Sequence, residues 1–452
     1  MWWLAGCTPD AAVTATVSPS EWVPSSFRVD WTGPAGDAAV WAAEGTFGSW
    51  AVVSRATVPE GASSLPLALL AGGRTYRWKV EIDDGRDLWS SAVGQVEVPE
   101  PPAAVGDPRV DHQDQGSAAT SSGYWVGYHY GRKTQTQDAA PFVWDGDGRA
   151  VWWVPPATDG SRAIRVRPSR DRRDVLVLMD HEDPTRRRLE RYALDGSSRV
   201  VTPLLEATHD FWENPDGTIT YVGYHFSDTE LVPGQRGPAV ADQLVTLPEG
   251  GGEPTVGFDF FDDYPVDPWY PCFHANFDEF VPLASEWSHV NSLIRAPTDD
   301  GWLLVTRFFD AVVFAGDDGS FGWQAGGIDA TVPSTPDAAF RHGHASDAWS
   351  EPDGLHLLMF DNGDHGPIPI VSRVVELRIT ADQVDAVWEL PDPNGGYISF
   401  LGDAQRLPNG NTLITFTDRG ELGEYTPDGD EVRLARVEGQ IGRGVWVPEL
   451  VP

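Results

Sequence analysis

Between residues 12 and 98, apolar and polar positions alternate in short runs such as Ser26-Phe27-Arg28-Val29-Asp30-Trp31 and Thr75-Tyr76-Arg77-Trp78-Lys79-Val80-Glu81, separated by Pro and Gly turns. Period two puts successive side chains on opposite faces of a strand, so this region predicts a small antiparallel β-sandwich. The Pro-rich link Val98-Pro99-Glu100-Pro101-Pro102 closes it. From about residue 105 the short runs are punctuated by a recurring turn: Asn214-Pro215-Asp216-Gly217, Asp299-Asp300-Gly301, Glu351-Pro352-Asp353-Gly354 and Leu407-Pro408-Asn409-Gly410, the later ones roughly fifty residues apart. That period is characteristic of a β-propeller with four short strands per blade, and about 350 residues at this spacing give six blades. The inner strand ends of different blades meet at a central channel, so distant positions can form one site.

The expected organisation is therefore all-β: a leader remnant over 1–11, a β-sandwich over 12–100 and a six-bladed propeller over 105–452. The sandwich is expected to be a structural or adhesive spacer with no chemistry of its own. Its segment Ala71-Gly72-Gly73-Arg74-Thr75-Tyr76-Arg77-Trp78-Lys79-Val80 resembles the late strand of a fibronectin type III module. Composition agrees, because 20 Trp with 47 Gly and 37 Pro suits short strands and many turns better than long helices. At 452 residues the chain is long enough for two domains. No stretch approaches the roughly 20 apolar residues of a membrane span.

Charge narrows the partners. Acidic residues outnumber basic ones by 68 to 32, a formal charge of −36, and the only lysines are Lys79 and Lys133. Nucleic acid is an unsuitable partner for a chain without a basic footprint. An anionic substrate would have to be drawn in by a local cluster of Arg and His against the overall field.

The two cysteines, Cys7 and Cys272, imply no disulfide framework. Leu4-Ala5-Gly6-Cys7 resembles a bacterial lipobox, in which the cysteine is diacylated, although only Met1, Trp2 and Trp3 precede it. The resemblance implies export to the cell envelope, with Cys7 as a lipid anchor and no other membrane contact. A free thiol near a chain end is the alternative.

Three segments gather histidines in polar company: Thr208-His209-Asp210-Phe211, Trp287-Ser288-His289-Val290-Asn291-Ser292 and Phe340-Arg341-His342-Gly343-His344. On a regular strand His289 and Asn291 would share a face, as would His342 and His344. Such pairs suit anion or metal binding. Further along stand Leu304-Val305-Thr306-Arg307, Trp323-Gln324-Ala325-Gly326-Gly327, Phe360-Asp361-Asn362-Gly363, Ser372-Arg373-Val374-Val375-Glu376 and Gly402-Asp403-Ala404-Gln405-Arg406-Leu407-Pro408-Asn409-Gly410-Asn411-Thr412. In order and spacing, the stretch from about Trp287 to Thr426 resembles the arylsulfotransferase family of exported, PAPS-independent propeller enzymes.

That resemblance implies a ping-pong transfer in which a histidine takes a sulfuryl group from an aryl sulfate donor and passes it to a phenolic acceptor, with no cofactor and no metal. By its place before Phe360-Asp361-Asn362-Gly363, His344 is favoured as nucleophile. The family has glutamine where Gly343 stands, so His342 remains the alternative. His289, Asn291 and Arg307 resemble the residues that hold the sulfuryl oxygens, and His209 an earlier site histidine. No lysine follows Lys133, so a late lysine role is vacant or taken by arginine. Independently, a sulfate monoester shifts negative charge onto its leaving oxygen, which positioned donors such as Arg307 and Asn291 would stabilise, and neutral imidazole is a competent nucleophile and proton carrier.

Other readings are open. His129, His225 and His356 are expected to be satisfied structural groups. His342 and His344 could bind a transition metal with His365 or Asp364. Asp259, Asp262, Asp263 and Asp267 form a solvated acidic loop or a calcium site. A catalytically silent surface propeller that binds a ligand is the main alternative to the enzyme, and a quinoprotein-like redox propeller rests only on the tryptophans. The oligomeric state is left open.

Overall fold

The computed structural model describes residues 12–452 except 104, 106–108, 113–122, 132–138, 233–234, 265–275 and 278–283. Cys7, Cys272, Lys133 and Asp267 lie outside the described residues.

Eight strands from Ala12–Pro19 to Gly94–Glu97 form one curved sheet, which fits the expected β-sandwich. The alternation read from the sequence is realised in Thr75–Asp83, where Tyr76, Trp78, Val80 and Ile82 face the core. This unit is no loose spacer. Ser20 Oγ donates to Gly196 O at 2.6 Å, Ser26 Oγ donates to Leu194 O at 2.9 Å, and Gly72 N donates to Ala150 O at 2.9 Å. One apolar cluster runs from Val29 and Trp78 into Phe142, Trp144 and Leu413. Hydroxyl-to-carbonyl contacts of this kind have no signature in sequence.

The rest is a six-bladed β-propeller. Blades 2, 4 and 5 are plain four-stranded sheets over residues 162–203, 290–326 and 344–391. Blade 3 is the elaborate one: the long hairpin of Ile219–Val232 and Gln235–Leu247 follows the inner strand Ala207–Glu213, and the short strand Ala284–Glu286 pairs parallel with the hairpin's second arm. The ring is closed twice. The C-terminal strand Val445–Val447 pairs with Tyr124–His129 to complete blade 1, and Arg109–His112 adds an outer fifth strand to blade 6. The four sequence turns join the inner strand to the second strand in blades 3 to 6. Gly217 and Gly410 take φ of 81° and 89° there, which a side chain would oppose.

A second device repeats at the inner strands. The ladder slips register near the start of the inner strand in blades 2, 3, 4 and 5. Such bulges break period two and re-aim side chains. His209 lies within the slip of blade 3, and His289 and His342 stand just before the inner strands of blades 4 and 5, with φ of 44°, 51° and 54°. The expectation that His289 shares a strand face with Asn291, and His342 with His344, is thereby corrected: His289 and His342 precede their strands, Val290–Arg295 and His344–Glu351, in the left-handed conformation.

Closure also fixes Tyr128, a buried ring whose hydroxyl donates to Ile164 O at 2.5 Å and whose carbonyl accepts from Gly442 N at 2.9 Å. A Cβ on Gly442 would lie 2.0 Å from Tyr128 Cζ. Gly442→Ala should therefore cost about 1–3 kcal/mol by overpacking, read as a lower denaturation midpoint; an unchanged midpoint would show that this approach is not tight.

Candidate functional site

At the axis the six blades are bound by charge. Asp210 of blade 3 accepts from Arg165 Nε and Arg167 Nη2 of blade 2, both at 3.0 Å, and from Leu293 N of blade 4 at 3.2 Å. Arg443, from the closing segment, lies 3.3 Å from Asp210 and 3.5 Å from Asp403 of blade 6, and donates to Asn291 O at 2.7 Å and Ala345 O of blade 5 at 2.6 Å. Arg165 reaches Asp403 at 3.4 Å. All five charged side chains are buried. The guanidiniums hold the Asp210 carboxyl far below its usual range despite burial. Among the described residues, three guanidiniums thus face two carboxylates across the axis.

Above this hub opens a cavity of about 290 Å³ to which the channel-facing ends of the blades contribute His209, His289, Asn291, Arg307, His342 and His344, together with Arg443. Every site residue proposed from the sequence within the propeller thus lines one space. The rings of His209 and His289 meet edge to face at 4.4 Å.

The three chemical environments differ. His344 Nδ1 lies 3.0 Å from Asn362 Oδ1. The orientation of Asn362 is fixed because its Nδ2 donates to Ile398 O at 2.8 Å and Leu401 O at 3.0 Å. With oxygen toward the ring, Asn362 can only accept, so Nδ1 carries the proton and Nε2 carries the lone pair. Burial and then Arg443 push the His344 pKa well below the ordinary imidazole value. The ring stays neutral.

His289 Nδ1 lies 2.8 Å from Glu286 Oε1. Burial pushes the Glu286 carboxyl up to about 8, and burial with Arg307 keeps His289 neutral. Behind them Asp242 accepts from Ser288 Oγ at 2.6 Å and Val290 N at 2.8 Å, and burial pushes it up to about 7. His209 Nδ1 lies 2.5 Å from Thr208 Oγ1, which contacts Tyr224 OH at 3.0 Å. It too is kept neutral, first by burial and then by His289.

His342 is held differently. Its Nδ1 faces both Arg307 Nε at 3.2 Å and Asp364 Oδ2 at 3.0 Å. One nitrogen cannot accept from the first and donate to the second at once, so no tautomer is imposed. Burial and Arg307 bring its pKa down to about 3. His342, Asp364 and His365 place three possible metal-ligand atoms within 4.8 Å, without His344. The guanidinium of Arg307 against the same Nδ1 opposes a cation there. Arg307 has no carboxylate partner among the described residues, whereas Arg187 is paired with Asp180 at 2.7 Å. Arg307 is the cation best left for an anionic ligand. Asn291 Nδ2 donates to Gly343 O at 3.0 Å, so this amide also braces the turn that carries His344.

The histidines expected to be structural have protein partners. His129 Nε2 meets Glu438 O at 3.1 Å, His225 meets Asp259 at 2.6 Å, and His356 lies between Glu376 and Asp353. Asp259, a residue of the acidic run, also caps the short helix Phe260–Asp263.

The sequence match covers residues 113–436 with the model of the arylsulfotransferase (ASST) family. The chain belongs to the arylsulfotransferase family. The family supports aryl sulfotransferase activity independent of PAPS, with an aryl sulfate donor and a phenol acceptor. No curated protein matches the chain significantly. Solved structures of similar shape include a protein of unknown function from Bacteroides caccae (14% identity, TM-score 0.44, covering 73% of this chain and 100% of that one). TolB from Acinetobacter baumannii is another, with 12% identity, a TM-score of 0.46 and coverage of 84% of this chain and 81% of that one. Pseudomonas aeruginosa periplasmic gluconolactonase, PpgL, shows 14% identity and a TM-score of 0.40 over 72% of this chain and 99% of that one. No functional inference rests on these likenesses.

Arg443, Asn362, Glu286 and Tyr224 went unassigned in the sequence of this arylsulfotransferase. For Arg443 the local signal is its flanking glycines, where a Cβ would strike Tyr128 and Trp125. Asn362 stood within a quoted motif without a role, and Glu286 carried no signal.

Asp210→Asn should leave the three hub guanidiniums with Asp403 as their remaining carboxylate and cost about 3–5 kcal/mol. The unfolding midpoint would drop well beyond that of Asp216→Asn in an exposed turn; equal midpoints would remove the hub from the list of structural requirements.

Proposed function

We propose that this arylsulfotransferase moves a sulfuryl group from a phenolic sulfate ester to another phenol by a ping-pong route through a sulfohistidine on His344. The supporting observation is the His344–Asn362 pair: a neutral ring with its Nε2 lone pair available, at a cavity that also holds Arg307 and Arg443. In the first half-reaction Nε2 bonds to sulfur, the bond from sulfur to the aryl oxygen breaks, and a phenol departs with a proton from the site. In the second, an acceptor phenol loses its proton to the site, its oxygen attacks sulfur, and the bond to Nε2 breaks.

The partner chemistry favours turnover. Asn362 is an amide and cannot take the Nδ1 proton, so the sulfated ring remains an imidazolium, a good leaving group. Arg307 and Arg443, which both line the cavity, would stabilise negative charge on the sulfuryl and aryl oxygens, each donor being worth roughly 10²–10³ in rate in such a site. His342, lacking a fixed tautomer and tied to Arg307, positions that guanidinium.

Incubation with 4-nitrophenyl sulfate, with and without a second phenol, tests the reading by phenol release and intact mass. Wild type and His342→Ala should form a labile sulfuryl adduct and His344→Ala should not, losing at least about 10³-fold in turnover. An adduct that persists on His344→Ala, or silence of the wild type with every donor, would overturn it. Because the His344 pKa is lowered, its neutral form persists as pH falls through about 6.5. Adduct formation from 4-nitrophenyl sulfate should therefore be flat across that value, and an inflection there would mean a solvated, ordinary histidine.

We further propose that the chain is exported and held at the cell envelope by acylation of Cys7, as its lipobox-like surroundings suggest. Cys7→Ser in an exported chain should abolish partitioning into membranes; unchanged partitioning would refute the anchor.

A further inference from the structure

A ping-pong transfer between phenols has a proton to account for. The donor's phenolate leaves needing one, and the acceptor phenol must lose one later. His344 cannot carry it, since its Nδ1–H is fixed by Asn362 and its Nε2 is occupied by sulfur between the two halves.

We infer that Glu286 and His289 form a proton relay that stores this proton between half-reactions, with Glu286 as the reservoir and His289 as the carrier to the substrate oxygen. The inference rests on the sulfotransferase reading above and follows from the placement of the pair. Glu286 ends the short strand Ala284–Glu286, and the left-handed kink at His289 brings Nδ1 to 2.8 Å from Oε1. Nε2 is then the nitrogen that His289, a cavity residue, has for substrate. Glu286 is buried and forms no ion pair with a cation among the described residues. The other titratable or charged groups around the pair are His209 on the inner strand, Tyr224 and Asp242 on the long hairpin, Arg307 after the strand Gly301–Thr306, and His342 and His344 of blade 5. Burial outweighs Arg307 and leaves Glu286 protonated near neutral pH.

Each step balances. As the sulfur to aryl-oxygen bond breaks, His289 Nε2–H passes its proton to the leaving oxygen and Nδ1 receives the carboxyl proton of Glu286. The site is left with sulfo-His344, a Glu286 carboxylate and His289 protonated on Nδ1. The acceptor's hydroxyl proton then moves to Nε2, Nδ1–H returns to Glu286, and the acceptor oxygen takes the sulfuryl group as the bond to His344 breaks. One proton has travelled from acceptor to donor phenol, and the enzyme is restored.

The test is the leaving-group dependence of adduct formation in a single turnover, comparing 4-nitrophenyl sulfate, whose phenolate leaves with little help, with 4-methoxyphenyl sulfate, whose phenolate needs a proton. Glu286→Gln keeps the shape and a hydrogen bond to Nδ1 but has no proton to give. It should raise the rate ratio between the two donors by roughly 10²-fold over wild type, within the range of general acid catalysis, and Glu286→Asp should restore part of the difference. In the wild type, adduct formation from 4-methoxyphenyl sulfate should fall as pH rises through about 8, while transfer from the adduct to an acceptor should rise over the same range. A Glu286→Gln enzyme whose rates fall equally for both donors, or do not change, overturns the relay while the transferase reading stands. A wild type that forms no adduct from either donor overturns both.

Discussion

Asp210 is placed where a carboxylate would ordinarily be hardest to keep, buried at the axis of an apolar ring of sheets, and is tolerated there because three guanidiniums converge on it. Burying such ions costs several kcal/mol each unless they are paired and hydrogen-bonded, and the partners here come from around the ring: arginines from blade 2 and the closing segment, a backbone amide from blade 4, a second carboxylate from blade 6. Withdrawing blade 2, 3 or 6, or the closing segment, would take a charged partner from the hub. Hydrophobic clusters join neighbouring blades in pairs, blades 3 and 4 in one and blades 4 and 5 in another, and the ionic hub adds a constraint that reaches across the axis.

The same hub sets the electrostatics of the site above it. An acidic protein with a formal charge of −36 repels sulfate esters at long range, but screening limits that field to about 8 Å in physiological salt. The cavity is lined by Arg162 and Arg187, both paired with Asp180, by Arg443 from the hub, and by Arg307, without a carboxylate partner among the described residues. Arg307 and Arg443 lower the pKa of the neighbouring histidines in the direction burial already does. A pocket that is locally positive yet lined with neutral imidazoles suits an anion attacked by a nitrogen lone pair.

What could be read from the sequence follows from how local its cause is. The turns at Asn214–Gly217 and Leu407–Gly410 were legible because Gly and Asn encode a backbone conformation by themselves, and their spacing gave the propeller. His209, His289, Asn291, Arg307 and His344 were legible because they cluster in short motifs. Asp210 was in plain view beside His209, but Arg165 and Arg167 lie 45 and 43 residues away and Arg443 far beyond. Glu286 precedes His289 by only three residues, yet their contact depends on a kink with positive φ that no periodicity predicts. The docking of the N-terminal sheet was hidden for a similar reason, since Ser20 and Ser26 make it through carbonyls of blade 2, which any residue could supply.

Four neutral histidines line one cavity, and for His344, His289 and His342 the question of role is one that ring chemistry alone cannot solve. The partner behind each ring decides it. An amide behind His344 fixes one proton on Nδ1 and can neither add nor remove it, which suits an atom that must repeatedly form and break a bond at Nε2. A carboxyl behind His289 can exchange its proton, which suits a group that must donate in one half-reaction and accept in the next. Behind His342, a guanidinium and a carboxylate compete for the same nitrogen, so these two contacts impose no single proton position on it. The uncertainty between His342 and His344 in the sequence therefore turns on Asn362 and Asp364, two residues apart in one loop: one withholds exchange and the other invites competition.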